Sequence, residues 1–184
     1  LADVSGDGVP AALVMAAFRA LLRTQAKGGT APAAACGRVN ALLPDFTGEA
    51  DFVTAVYGIL DPRDGTFTYT NCGHHPLLCL RAGGRIEAHK TGGPALSVYE
   101  EAWYETGRIA LAPGDVMVLY TDGLVEIADA AGELFGLERL ADALRQRQAG
   151  SAPEILAGLI AAAQAFRQAE AFADDVTALV VRRL

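Results

Sequence analysis

Apolar and polar positions follow three successive rhythms along the chain. Residues 9–22 are apolar at nearly every position, with Leu13, Val14, Met15, Phe18, Leu21 and Leu22 interrupted only by Arg19, and Gly28-Gly29 ends the run. Pro10 sits where a first helical turn tolerates a missing N–H, so this stretch predicts a helix reaching about Lys27, enclosed or covered on most sides. Thr30 offers an N-cap for a second helix, in which Ala35, Val39, Leu42 and Leu43 recur at i, i+4, i+7 and i+8 as one core-facing stripe. The rhythm changes at residues 52–60, rich in β-branched and aromatic residues and apolar on both faces, as a strand buried between layers reads. Asp61-Pro62-Arg63-Asp64-Gly65 forms a turn, Pro setting φ and Gly supplying φ > 0, and joins that strand to 66–70 as a hairpin. Further strands are expected at 77–81, 85–89, 101–109 and 116–120, punctuated by Gly83-Gly84 and Pro113-Gly114-Asp115. Helical spacing returns at Leu137, Leu140, Ala141 and Leu144. Ser151-Ala152-Pro153-Glu154 then has capping-box spacing and opens a helix presenting Leu156, Leu159, Ile160, Ala163 and Phe166 to the core. A strand at 176–181 follows. Two helices, a run of strands, two helices and a strand predict an α+β domain with helices covering sheets. Without internal repeats, residues 1–184 are expected to form a single domain.

Composition narrows the classes of function. With 184 residues, 52% of them apolar, the chain can bury a full core and lies outside the range of disordered sequences. Fifteen basic against 22 acidic residues leave a net charge of −7 with no basic run, so neither nucleic acid nor an anionic membrane surface is an expected partner. The apolar run at 9–22 is shorter than the roughly 18 to 20 residues needed to cross a bilayer, and no signal peptide is expected. Cys36, Cys72 and Cys79 match neither a disulfide framework nor a metal knuckle, which points to small buried hydrophobes and a reducing, cytoplasmic setting. The opening Leu-Ala-Asp-Val reads as part of a longer protein.

The chemically suggestive residues are acids at the ends of expected elements: Asp3 before a Gly-rich turn, Asp122 after the apolar strand, and Asp174-Asp175 before the last strand. Carboxylates with no Cys or His beside them in sequence suit Mg²⁺ or Mn²⁺ better than zinc. Two such cations about 3.5 to 4 Å apart can share a hydroxide and direct it at a phosphoryl group. Spacing alone permits this and no more, because Asp is common beside turn glycines and before strands. His74 and His75, set between Gly73 and Pro76, read first as shaping a turn, although an imidazole can also titrate near neutrality or bind metal.

Read as strings, the same residues resemble a known family. Asp3-Val4-Ser5-Gly6-Asp7-Gly8-Val9-Pro10-Ala11-Ala12, Tyr120-Thr121-Asp122-Gly123-Leu124-Val125-Glu126 and Asp174-Asp175-Val176-Thr177 are similar, in this order, to three signature blocks of the metal-dependent serine/threonine phosphatases of the protein phosphatase 2C type (PPM). The similarity is greatest to the bacterial SpoIIE/RsbU branch. Phe52-Val53-Thr54, Leu60-Asp61-Pro62, Asn71-Cys72-Gly73-His74-His75-Pro76, Leu111-Ala112-Pro113-Gly114-Asp115 and Glu133-Leu134-Phe135-Gly136 agree with that branch, so the resemblance spans essentially the whole chain.

The resemblance implies a PPM-type β-sandwich of two mainly antiparallel sheets flanked by helices in α/β/β/α layers. It also implies an N-terminal strand with a Gly-Gly-Asp motif, which this chain lacks, starting after it. Asp3 would bridge two Mn²⁺ or Mg²⁺ ions, the Val4 carbonyl would add a ligand, and Asp122 and Asp174 would hold the second ion, with Asp175 at most supporting them. A water shared by the metals would attack phosphoserine or phosphothreonine without a covalent enzyme intermediate. Asp7 stands where relatives often carry His, Lys or Asn. The implied substrate is a phosphorylated anti-sigma-factor antagonist of the STAS type in a partner-switching pathway. An upstream sensor or receiver domain in the same chain would control the enzyme through the first helix, where two copies could also pair as a homodimer. The alternatives are a catalytically weak or inactive phosphatase-fold module that binds a regulatory partner, and a carboxylate site that only stabilises the fold.

Overall fold

The computed structural model describes residues 1–48, 51–167 and 175–184. In chain order the elements are β1 (Ala2–Val4), α1 (Gly8–Gln25), α2 (Pro32–Leu42), β2 (Val53–Asp61), β3 (Thr66–Cys72), β4 (Leu77–Leu80), β5 (Ile86–His89), β6 (Gly92–Gly93), β7 (Gly107–Ala110), β8 (Val116–Tyr120), α3 (Gly136–Gln146), α4 (Ala152–Arg167) and β9 (Ala178–Arg182). They fall into two units, Leu1–His74 with Lys90–Ala110, and His75–His89 with Leu111–Leu184.

In the first unit the expected hairpin forms, β2 pairing antiparallel with β3 from Val56↔Asn71 to Asp61↔Thr66. β1 extends the sheet beyond β2, and on the other side of β3 lie β7, antiparallel, and the short parallel β6. At three residues β1 is too short to show a period in sequence. Val14 and Phe18 of α1 and Cys36 and Val39 of α2 form one apolar cluster with Val53, Ala55 and Cys72 of the sheet. α1 is less enclosed than its composition predicts, since Val9 and Leu13 remain 72% and 66% exposed. Thr30 does not cap α2: Ala31 holds the N-cap position ahead of Pro32, and the Thr30 hydroxyl donates to the Lys27 carbonyl.

The expected strand at 101–109 is confined to Gly107–Ala110. The preceding segment is held by a side chain. Buried Asn40 donates through Nδ2 to the Tyr99 carbonyl (2.9 Å), while its Oδ1 accepts from the Ser97 amide (3.0 Å) and the Tyr104 hydroxyl (3.2 Å). These bonds replace a ladder and leave Tyr99 and Trp103 on the surface, Trp103 at 71% exposure.

The second unit is an antiparallel sheet in the order β5-β4-β8-β9. β8 occupies the five residues expected of it, all buried. Leu140 and Leu144 of α3 and Ile155, Leu159 and Ala163 of α4 pack with Leu78, Leu80, Val116 and Val118 of the sheet. The capping box forms: the Glu154 carboxylate accepts from the Ser151 amide (2.7 Å) and hydroxyl (2.8 Å). The turn before β8 is fixed by Asp115, whose carboxylate accepts from the Ala82 and Ala112 amides and from Arg81 at 2.8 to 2.9 Å. Two mainly antiparallel sheets with flanking helices are what the α+β reading required.

Candidate metal centre

Asp3 owes its setting to strand alternation. Leu1 and Val56 exchange both backbone bonds, at 3.1 and 2.8 Å, so Ala2 and Val4 are non-bonded positions and Asp3 forms the next bonded pair with Thr54. Two consequences follow from that register. The Asp3 side chain shares a face of the sheet with Thr54, and the Val4 carbonyl turns away from β2 at the edge of the sheet, where a ligand can reach it. Ser5 then ends the pairing: its amide donates to the Phe52 carbonyl (3.0 Å) and its hydroxyl accepts from the Phe52 amide (2.9 Å). Gly6 and Gly8, with φ of 81° and 66°, turn the chain into α1 through a conformation that side-chain-bearing residues avoid. Asp7 is exposed at the N-cap of α1 and makes no side-chain capping bond.

A second turn belongs to the same unit. The Asn71 side chain donates to the His74 carbonyl (3.0 Å) and accepts from the His74 amide (2.7 Å), clamping the turn through Gly73. His74 is only 8% exposed, and its Nδ1 lies 2.8 Å from the Thr54 hydroxyl. The sequence reading of His74 as a turn residue holds in this geometry.

In the other unit, Asp122 follows directly on the buried strand β8. Thr121 continues the pairing, its amide bonding the Thr177 carbonyl (2.9 Å) and its hydroxyl accepting from the Thr177 amide (2.9 Å) and donating to the Asp175 carbonyl (3.2 Å). A side chain at Gly123 would run into that same Asp175 carbonyl, so the Thr-Asp-Gly string is a packing requirement of the two segments. Residues Asp122–Leu124 form a single 3₁₀ turn in which the Val125 and Glu126 amides both donate to the Asp122 carbonyl (2.8 Å). That turn brings Glu126 alongside Asp122, while the fully buried Leu124 anchors it.

One ligand atom each from His75, Asp122 and Glu126 lie within 4.8 Å of one another. Donors about 2.1 Å from a single cation stand at most about 4.2 Å apart, so small side-chain movements would close these three on one ion. The donor set, two carboxylates and an imidazole, fits a divalent cation, and its nitrogen suits Mn²⁺ better than Mg²⁺, whose ligands are almost all oxygen. The His75 ring also lies against Tyr120, with centroids 5.8 Å apart.

The structure thus places Asp3 and Val4 on an edge strand of one unit and Asp122 at a strand end of the other. Asp174 lies outside the described residues. Glu126 is missed as a donor by the sequence reading, which weighs His75 as a metal ligand but reads it first as a turn residue. Glu126 carries a retrospective signal, four residues after Asp122 across a turn, whereas His75 joins the acids only through the fold. Thiol chemistry has no support: all three cysteines are buried, burial pushes the Cys79 thiol up to about 11, and the hydrogen bond from Cys36 together with burial raises Cys72. Among the described residues, no helix is long and apolar enough to cross a membrane.

The family described as Stage II sporulation protein E (SpoIIE) matches residues 1–184. The chain belongs to the SpoIIE family. Two relatives give the scale of the similarity. Protein IcfG of Synechocystis sp. is 29% identical over 172 residues, covering 78% of this chain and 27% of that protein. The phosphoserine phosphatase RsbU of Bacillus subtilis is 25% identical over 186 residues, covering 100% of this chain and 54% of RsbU. The chain therefore spans about half or less of the length of these SpoIIE-type relatives. Among solved structures, the SiaA-PP2C domain of Pseudomonas aeruginosa is 27% identical with a TM-score of 0.84, covering 98% of this chain and 72% of that one. The RsbU and RsbW domains of Rv1364c from Mycobacterium tuberculosis give 28% and 0.80, covering 99% and 50%. The SpoIIE-family fold here is that of the PP2C-type phosphatase domains, as the resemblance in sequence implied.

Proposed function

We propose that residues 1–184 act as one catalytic domain of a metal-dependent phosphoserine/phosphothreonine protein phosphatase. The observation that carries this reading is the convergence of His75, Asp122 and Glu126 at the end of β8 in a SpoIIE-family chain. Asp3 with the Val4 carbonyl, and Asp122 with Asp174, are the proposed ligands of two Mn²⁺ or Mg²⁺ ions, and the outward Val4 carbonyl on β1 supports its part in that set. When bound, such cations supply a water of lowered pKa as nucleophile toward phosphorus. The chain's own contribution is placement: Thr121, tied to Thr177 and Asp175, and Gly123, packed on Asp175, hold the Asp122 carboxylate at the strand end. The Asp122 Oδ1 also accepts from the Gly123 amide (2.8 Å), which restricts its rotation.

The proposed substrate is the phosphorylated form of a STAS-type anti-sigma-factor antagonist, in keeping with the similarity to RsbU. Control by an upstream sensor or receiver domain fits relatives about twice as long or longer, and the proposed setting is the cytoplasm, with pairing of two copies as a further element.

The test is hydrolysis of a phosphoserine peptide and of phosphorylated STAS antagonists by the full-length protein, with and without Mn²⁺, against Asp122→Asn. Mn²⁺-dependent turnover is expected, falling by more than about 100-fold in the variant, beyond the range typical of residues that merely support ligands. Circular dichroism should be unchanged by the substitution. Full-length protein that binds Mn²⁺ and hydrolyses none of these substrates would overturn the reading in favour of a partner-binding module.

A further inference from the structure

His74 and Thr54 have no task in the proposed chemistry, yet both are specifically placed. The Asn71 side chain clamps both backbone groups of His74, and the imidazole so held is almost fully buried with Nδ1 2.8 Å from Thr54 Oγ1. Thr54 in turn stands directly opposite Asp3 in the β1–β2 register. Opposed residues of an antiparallel bonded pair have Cα atoms about 5.5 Å apart and side chains on one face, so side-chain rotation brings a hydroxyl and a carboxylate into hydrogen-bonding reach. In this structure Thr54 Oγ1 is bonded to His74 and not to Asp3.

The donor and acceptor inventory gives this line of three a direction. An ionised carboxylate only accepts, a neutral imidazole donates from one nitrogen, and a threonine hydroxyl does both. When the imidazole carries its proton on Nδ1, it occupies a lone pair of Thr54 Oγ1 and leaves the single hydroxyl proton for the acceptor across the strand pair. With the proton on Nε2, the hydroxyl would be consumed by His74 instead. We propose that His74 and Thr54 are positioning residues for the Asp3 carboxylate, His74 Nδ1–H donating to Thr54 Oγ1 and the Thr54 hydroxyl donating to Asp3. This rests on the reading of Asp3 as a metal ligand. A three-residue edge strand constrains its side chains weakly, and the relay fixes from the neighbouring strand what β1 cannot fix alone.

Two measurements test it. In metal-free protein, nitrogen-detected NMR of His74 should show the Nδ1–H tautomer, and a predominant Nε2–H form would overturn the relay. Calorimetric titration with Mn²⁺ should show binding weakened about 10- to 100-fold in Thr54→Val, the usual range for partners of metal ligands. Thr54→Ser and His74→Asn, which retain a hydroxyl and a donor near the Nδ1 position, should stay within about threefold of the parent. A purely structural role predicts instead that Thr54→Val lowers the melting temperature and leaves Mn²⁺ affinity unchanged. Asp3→Asn separates the two layers of the argument. If it leaves Mn²⁺ binding intact, the ligand reading of Asp3 falls. If it abolishes binding while Thr54→Val does not weaken it, the relay alone falls. Should Thr54→Val fail to fold, the tautomer of the parent protein still decides.

Discussion

Asp3 stands on a three-residue strand at the edge of its sheet, whereas Asp122 follows a five-residue strand that is buried throughout and paired on both sides. The acid after β8 inherits its position mainly from backbone pairing and from a glycine pressed against the facing segment, with the Thr121 hydroxyl adding bonds to Thr177 and Asp175. The acid on β1 depends on side chains: Ser5 closing the ladder at Phe52, and Thr54 opposite. A carboxylate mounted mainly by backbone is hard to perturb except by steric intrusion, and one mounted by side-chain hydrogen bonds is open to single polar substitutions.

That contrast breaks most sharply at Gly123. In Gly123→Ala the new methyl meets the Asp175 carbonyl, and a loss of about 1 to 3 kcal/mol is expected from forced displacement of the segment. Urea denaturation checks the stability, and Mn²⁺ titration should show weakened binding in the fraction that remains folded. Ser5→Ala is a milder test of the edge strand. It removes the acceptor of the Phe52 amide and should cost about 0.5 to 1.5 kcal/mol, with faster hydrogen exchange at Phe52 and no change at β8.

Acid should separate the two units by the smallest margin. In the second unit, burial pushes Asp115 up, but the Ala112 and Ala82 amides and the Arg81 guanidinium outweigh it and hold its pKa below the ordinary value. Arg81 likewise lowers Glu87, and the Ser151 amide and hydroxyl lower Glu154. A depressed carboxyl contributes stability that is fully present above its unfolded pKa, about 4, and is lost as pH falls through the folded value. In the first unit Asp61 is held at about 2 by Arg63, whose side chain is 88% exposed, so this pair, like the exposed Glu154, has little effect on stability. Hydrogen exchange between pH 5 and 3 should therefore lose protection in β4 and β8 before β2 and β3, and Asp115→Asn should flatten that difference.

The same division runs through what the sequence made legible. β8, the β2–β3 hairpin and the Ser151–Glu154 capping box were readable because each is decided by residues close together in the chain. The segment at 97–104 was not, because what shapes it is an Asn40 side chain some 60 residues earlier, which converts an alternating pattern into a loop. Leu42 and Leu137, placed on core stripes by spacing, emerge partly exposed because each lies at the end of its helix, where the stripe runs off the covered face. The acids were visible as motifs, with Asp122 just past the end of the strand expected before it and Asp3 ahead of the Gly-rich turn but inside a short strand that was not expected. His75 was readable as a possible metal ligand but its partners were not, since its meeting with Asp122 and Glu126 depends on long-range strand order. His74 read as a turn residue, which it is, but its contact with Thr54 crosses 20 positions that no local pattern spans.

The Asn40-held loop also decides how this protein looks in light. Trp103 is the only tryptophan and is already mostly in water in the folded chain. Its emission wavelength should change little on melting, so an unfolding curve followed at the indole would be nearly blind to both sheets. Tyr69 and Tyr120, each almost wholly enclosed and one in each unit, are the chromophores whose near-ultraviolet signals follow the loss of packing.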